Sequence, residues 1–324
     1  MTTMHPLLKP FTHLEQDYFP EKELQVLIAR QREIQPLLMD VLQAYAQTPE
    51  NYDEADGNFL PLVALTLLAQ FRDARVFPLL QKIANDYFRD PEDYEDLMFN
   101  IPEEDFARIL ASVCCGNTKA LQAMVMNDAL DEEMRVQALL ALKSCYFEGD
   151  ISRANLVEVL TALSAQLSSA GPKTGSSTLW IDWYGVCIDI NPGEMLPVIR
   201  QVCEQGDVFG SASEFHIEEA EFHAMDSVQQ WWREVGEEMQ QHYGYIRDAV
   251  YELKVWEMNT EPTASLFDPE EENAINKAIT EIIGGALDTD ANSPPHQQSL
   301  PETTLPGRQE TMHRYSLNSF VKHK

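Results

Sequence analysis

The sequence predicts an all-α protein, a helical-repeat solenoid of stacked antiparallel helix pairs with a disordered C-terminal tail. Three observations predict it. Phe59 to Ile83 reads as two apolar helices around a short charged corner; such a pair cannot bury both faces alone, so similar pairs must stack on it. Later stretches repeat the plan, with apolar residues at helical spacing broken by Gly, Asn or Asp. From Ala286 onward the chain is rich in Pro, Ser, Thr and Gln and poor in apolar residues, a composition that cannot build a core.

Within the organising pair, Leu60, Val63, Leu67 and Leu68 share one face, while Leu62, Leu65 and Ala69 fill much of the rest. A helix this apolar is covered on more than one side. Asp73 is placed to cap the next helix, with Pro78 in its opening turn, where a missing N–H costs little. Before this pair, residues 1–17 read as a partly ordered lead-in. Pro20 and Glu21 to Glu23 then open a helix with Leu24, Leu27 and Ile28 on one face. Ile34, Leu37, Leu38, Val41 and Leu42 mark the following helix, and Thr48 to Asn58 forms an acidic loop.

After the pair and a second acidic connection over Asp90 to Asn100, Phe106, Ile109, Leu110, Val113 and Cys114 form a one-face stripe ended by Gly116 and Asn117. Leu121, Met124 and Val125 line a short helix. Asp131 caps the next, whose stripe is Met134, Ala138, Ala141, Leu142 and Cys145. Ser152 reads as another N-cap, stapled by Ile151 and Leu156. The Gly- and Pro-containing stretch 168–177 is a break in the array, a domain boundary or, as the favoured reading, a long loop. Helices resume over Leu179 to Ile190, from Pro192 to Gly206, over Glu214 to Asp226, over Ser227 to Tyr243 and over Tyr245 to Met258. Residues 18–258 thus read as one helical-repeat domain. Residues 259–285 hold a linker and one isolated helix opening at Asp268 and Pro269, and 286–324 form the tail.

The formal net charge is -30, from 53 acidic and 23 basic residues. The tail's four acids and four bases cancel, so the charge belongs to the folded part. Such a chain repels nucleic acid and anionic membranes and suits a basic protein partner. No apolar run reaches the ~18 residues of a membrane span, and the N-terminus lacks a signal peptide's apolar segment. The expected location is the cytoplasm. The five cysteines are odd in number and form no CxxC. They read as buried free thiols, with Cys114 and Cys115 in core packing, and not as a disulfide or zinc framework.

The segments LLAQFRDARVFPLL, DFARILASVCCGN, ALLALKSCYFEGDISR and LWIDWYGVCIDINPGEMLPVIRQVCEQGDV resemble the bacterial domain of unknown function 1186. The resemblance covers roughly residues 18 to 235 and is specific as a set, since each segment alone suits any helix pair. It implies a HEAT-like array and no established biochemical activity. Many members end in a cysteine-rich, zinc-binding SEC-C motif. This chain departs from that pattern, because no cysteine follows Cys203.

No GxGxxG, P-loop, HExxH or GxSxG occurs, and no cofactor is expected. The best metal-like set is His216, Glu219 and His223 in HIEEAEFH, whose spacing puts them on one helix face. An exposed acidic helix accounts for the same residues. Trp180, Trp183, Trp231 and Trp232 supply aromatic anchors for a binding surface or fill the core. The leading functional expectation is a non-catalytic adaptor whose acidic surface, with Glu218, Glu219, Glu221, Trp231 and Trp232, binds another protein. The alternatives are a metal-assisted enzyme centred on His216, Glu219 and His223, and a secreted bacterial effector using its tail as an export signal.

Overall fold

The computed structural model describes residues 4–13, 18–52, 58–89, 101, 103–169, 177–204 and 213–259. Among them there are thirteen α-helices and no strand. The helices are α1 (Glu21–Ala29), α2 (Gln31–Tyr45), α3 (Leu60–Gln70), α4 (Val76–Arg89), α5 (Glu103–Cys114), α6 (Thr118–Val125), α7 (Glu132–Phe147), α8 (Arg153–Ser169), α9 (Thr178–Asp189), α10 (Leu196–Glu204), α11 (Ser213–His223), α12 (Val228–Tyr243) and α13 (Ala249–Asn259). None is long and apolar enough to cross a membrane. The isolated helix expected within 259–285, the tail at 286–324 and most of the 168–177 break lie outside the described residues. In the lead-in, Leu8 and Phe11 are buried.

Local chemistry sets the helix ends. Every residue of α3 from Leu60 to Ala69 is buried, as expected of a helix apolar all round. Past its end Arg72 takes φ +52°, and the Asp73 N–H donates to the Leu68 carbonyl at 3.0 Å. This is the left-handed closure that satisfies a helix's last carbonyls. Asp73 then accepts from the Arg75 N–H at 3.1 Å and from Gln35 of α2 at 2.9 Å. Helix α7 closes in the same way, with Gly149 at φ +83° and the Asp150 N–H on the Cys145 carbonyl at 2.9 Å. At its start Asp131 accepts from the Glu133 N–H at 2.9 Å. Ser152 Oγ accepts from the Asn155 N–H at 3.2 Å to open α8.

The helices stack in chain order: α2 on α3, α3 on α5, α5 on α7, and α7 on α9. Helices α4 and α6 also pack on α7, while α8 packs on α7, α9 and α10, and α10 on α11. The chain then turns back. Helix α12 packs on α7 and α5, and α13 packs on α3 and α1. In an open solenoid each repeat contacts only its neighbours; this return places the last described helix against the first.

Helix α7 is the hub, buried from Met134 to Phe147. The sequence shows only its apolar stripe. Its other faces carry Arg135, Gln137 and Lys143, which are buried because each meets a polar partner. Arg135 donates to the Val125 carbonyl at 2.9 Å, Gln137 to Glu133 at 2.9 Å and Lys143 to Asp189 at 2.9 Å.

Two sequence expectations change. The helix expected over Tyr245 to Met258 begins only at Ala249, leaving 245–248 non-helical. Cys115 is exposed, because α5 ends at Cys114 and Cys115 takes φ +51°, which turns it off the core face. Truncating the hub should cost most: Leu142→Ala loses about 3 kcal/mol, against about 1 kcal/mol for the cap deletion Asp131→Ala. Urea unfolding followed by circular dichroism measures both.

Candidate functional site

Residues 244–248 run across the C-terminal ends of three stacked helices, and side chains of those helices meet the backbone. The Tyr245 N–H donates to Glu148 at 2.9 Å, just past α7. The Ile246 N–H donates to Ser112 Oγ of α5 at 2.9 Å, and the Ala249 N–H to Gln70 Oε1 of α3 at 2.8 Å. The Gly244 carbonyl accepts from Arg108 Nε at 2.9 Å. A side chain at Gly244 would collide first with the Gln240 backbone carbonyl and then with the Glu148 carboxylate, so glycine permits both close approaches. This stretch is non-helical because its amides already have partners in the array.

Side chains reinforce the backbone contacts. Tyr245 Oη donates to Asp150 at 2.5 Å, and the Arg72 guanidinium lies 4.2 Å from the Tyr245 ring centroid while pairing with Asp150 at 3.2 Å. Burial, followed by the nearby Cys145 and Asp150, raises the Tyr245 hydroxyl far above the ordinary phenol range. Arg247 pairs with Glu148 at 2.6 Å. Deeper in, Arg108 pairs with Glu252 at 2.7 Å and Asp105 at 2.6 Å, and Trp256 Nε1 donates to Asp105 at 2.7 Å. Burial raises the Glu252 carboxyl, against the lowering effect of Arg108.

The metal-like set is only partly assembled. Tyr184 Oη donates to Glu219 at 2.7 Å and to the His216 carbonyl at 2.8 Å. The His216 Nδ1 sits 3.7 Å from Glu219. Burial opposes ionisation of Glu219, but the adjacent His216, the hydrogen bond from Tyr184 and the nearby His223 hold its carboxyl below the ordinary 4.5. The His223 carbonyl accepts from Asn191 at 3.2 Å, and its ring lies edge-on to Phe222 with centroids 5.5 Å apart. Among the described residues no three His, Cys, Asp or Glu side chains form a group that could hold a metal ion.

The opposite side of α11 faces solvent. Phe215, Phe222 and Met225 are 56%, 59% and 76% exposed, and the exposed Glu214, Glu218 and Glu221 lie among them. Glu221 pairs with Arg200 at 2.6 Å. Sequence reasoning saw the acids and missed the aromatics. Their signal is the spacing i, i+7 of Phe215 and Phe222 on the face away from the buried Ala220, with Met225 following just past the helix end. The expected tryptophan anchors turn inward instead. Trp231 is buried, with its ring stacked 6.4 Å from Phe147. Trp232 is half-buried, stacked 6.0 Å from Phe147 and edge-on to Tyr146 at 5.7 Å. Trp180 and Trp183 are both core residues.

The thiols divide by burial. Cys114 and Cys145 lie 3.7 Å apart, both buried. The hydrogen bond with Cys114, together with burial, raises the Cys145 thiol. Burial pushes Cys203 up to about 11 and Cys187 well above its ordinary value.

The family model described as "Protein of unknown function (DUF1186)" matches residues 5–260, most of the chain. The chain belongs to this family. A curated relative, an uncharacterised protein of Chlamydia muridarum (strain MoPn / Nigg), is 27% identical over 135 residues, which are 41% of this chain and 52% of that protein. The DUF1186 chain therefore spans about half the length of that relative. No solved structure matches it.

Ellman's reagent on the native protein should show one reacting thiol, abolished by Cys115→Ser and slower than a free thiol because burial raises it and it donates to the Arg72 carbonyl at 2.9 Å, with the other four reacting only on unfolding. The folded Glu219 carboxyl lies below its ordinary value, so its stabilisation is present above about pH 4.5 and lost as the pH falls below it. Glu219→Gln should therefore cost about 1–2 kcal/mol at pH 7. Urea titrations should show that difference narrowing towards pH 3.

Proposed function

We propose that this DUF1186 chain is a non-catalytic interaction scaffold, a HEAT-like solenoid closed by its C-terminal helices, working in the cytoplasm. The observation that carries this reading is the α11 face, where Phe215 and Phe222 stand exposed among Glu214, Glu218 and Glu221, with Met225 exposed in the turn just past it. Large apolar side chains grouped on one exposed helix face mark an interaction site. The acids specify its occupant as an amphipathic helix of a basic protein. Apolar residues of that helix cover the two phenylalanines and Met225, and its Lys or Arg residues meet Glu214 and Glu218. The net charge of -30 steers such a partner inward and speeds the encounter. Stacking of successive helix pairs, α3 on α5 and α5 on α7, supports the HEAT-like reading, and α11 packs on α10.

The metal-assisted alternative gains no support from the site, because Glu219 is engaged by Tyr184 and His216. The effector alternative rests on residues 286–324, outside the described part.

The test uses a partner recovered from native lysate. Phe222→Asp should abolish its binding. The charge reversals Glu214→Lys and Glu218→Lys together should slow association about tenfold at low salt, with a smaller loss at high salt. All three positions are exposed, so near-UV circular dichroism should not change. Unaltered association rates in both variants would remove α11 from the scaffold reading.

A further inference from the structure

The segment from Gly244 to Trp256 is attached to the array in the manner of a bound peptide. Its extended part crosses the helix ends in reverse chain order. Tyr245 meets Glu148 and Asp150 beyond α7, Ile246 meets Ser112 of α5, and Ala249 meets Gln70 of α3. It then becomes a helix, capped by Asp248, which accepts from the Val250 and Tyr251 N–H groups at 3.1 Å. That helix turns Ala249, Glu252, Leu253 and Trp256 inward, while Tyr251 stays 62% exposed.

The array side of this contact is built for recognition more than for stability. Glu148 and Asp150 sit at the negative end of α7, where acids oppose the helix dipole. Arg72 and Cys115 hold left-handed backbone at a steric cost that only Gly escapes. Both acids and the Arg72 guanidinium are directed at Tyr245 and Arg247. Arg108 is buried, and among the described residues its counter-charges are Asp105 and the segment's own Glu252. Local rules broken together at one place mark function.

We infer that the helix ends of α3, α5 and α7 form a peptide-binding groove that residues 244–256 fill in cis. Its occupant in trans is a partner-protein segment of the same chemistry. Such a segment carries an extended aromatic–aliphatic–arginine run that leads into a short helix presenting an acid to Arg108 and a tryptophan to Asp105. The cis segment competes with it, so affinity in trans scales with the fraction of molecules whose groove is open. This groove is separate from the α11 face and stands or falls independently of it.

The probe is a fluorescent peptide of residues 241–259, titrated into the full-length chain and followed by anisotropy. In the full-length double variant Tyr245→Ala, Arg247→Ala, the weakened cis segment should let the peptide bind at least about tenfold more tightly than in the wild type. Adding Glu148→Gln, which removes the acceptor charge, should reverse that gain. Equal affinity for wild type and a folded double variant would overturn the groove. Hydrogen exchange on the wild type gives an answer even if the variants fail to fold. The amides of Tyr245, Ile246 and Ala249 should exchange together and faster than those of α5 and α7, and exchange only with global unfolding would overturn the proposal. Concentration-dependent dimers of the wild type that exchange this segment would transfer the groove to a second copy and overturn the partner assignment.

Discussion

Burial of a single helix on all its faces constrains everything around it. Fourteen of the sixteen residues of α7 are buried, and no one neighbour can cover a helix on every side. Helices α5, α6, α9 and α12 share the task. The same constraint explains the internal partners of Arg135 and Lys143, since a buried cation without acceptors would be far costlier than any apolar residue in its place. It also explains why the chain returns: α12 supplies cover that the preceding helices leave open, with Trp231 and Trp232 packed on Phe147.

The return gives the two ends of α7 different characters. Its start is an ordinary capped helix, with Asp131 and two further acids at the positive end. Its far end carries Glu148 and Asp150, whose charges are balanced by Arg247 and Arg72 and whose oxygens take up the Tyr245 amide and hydroxyl. One end is arranged for helix stability and the other for holding a different segment.

What could be read from the sequence was whatever depends on near neighbours. The stripe from Phe106 to Cys114, the all-apolar α3 and the caps at Asp73, Asp131 and Ser152 arise within a few residues, and each is found in the structure. Residues 245–248 were misread as helix because the groups that hold them lie 95 to 134 residues earlier. Periodicity carries no information on such partners. Trp231 was misjudged and Phe215 overlooked for a related reason. A helix pattern separates one face from another but does not say which faces its neighbours. On α11 the small Ala220 and the hydrogen-bonded His216 turn inward and the two phenylalanines outward.

The distance in sequence between groove and segment also imposes an order in time. Translation is vectorial, so α3, α5 and α7 leave the ribosome well before Tyr245, which follows Glu148 by 97 residues. At 5–20 residues per second, the nascent chain spends about 5 to 20 s with those helix ends uncovered. Each newly made molecule therefore passes through an interval in which its own later segment does not yet exist to close it.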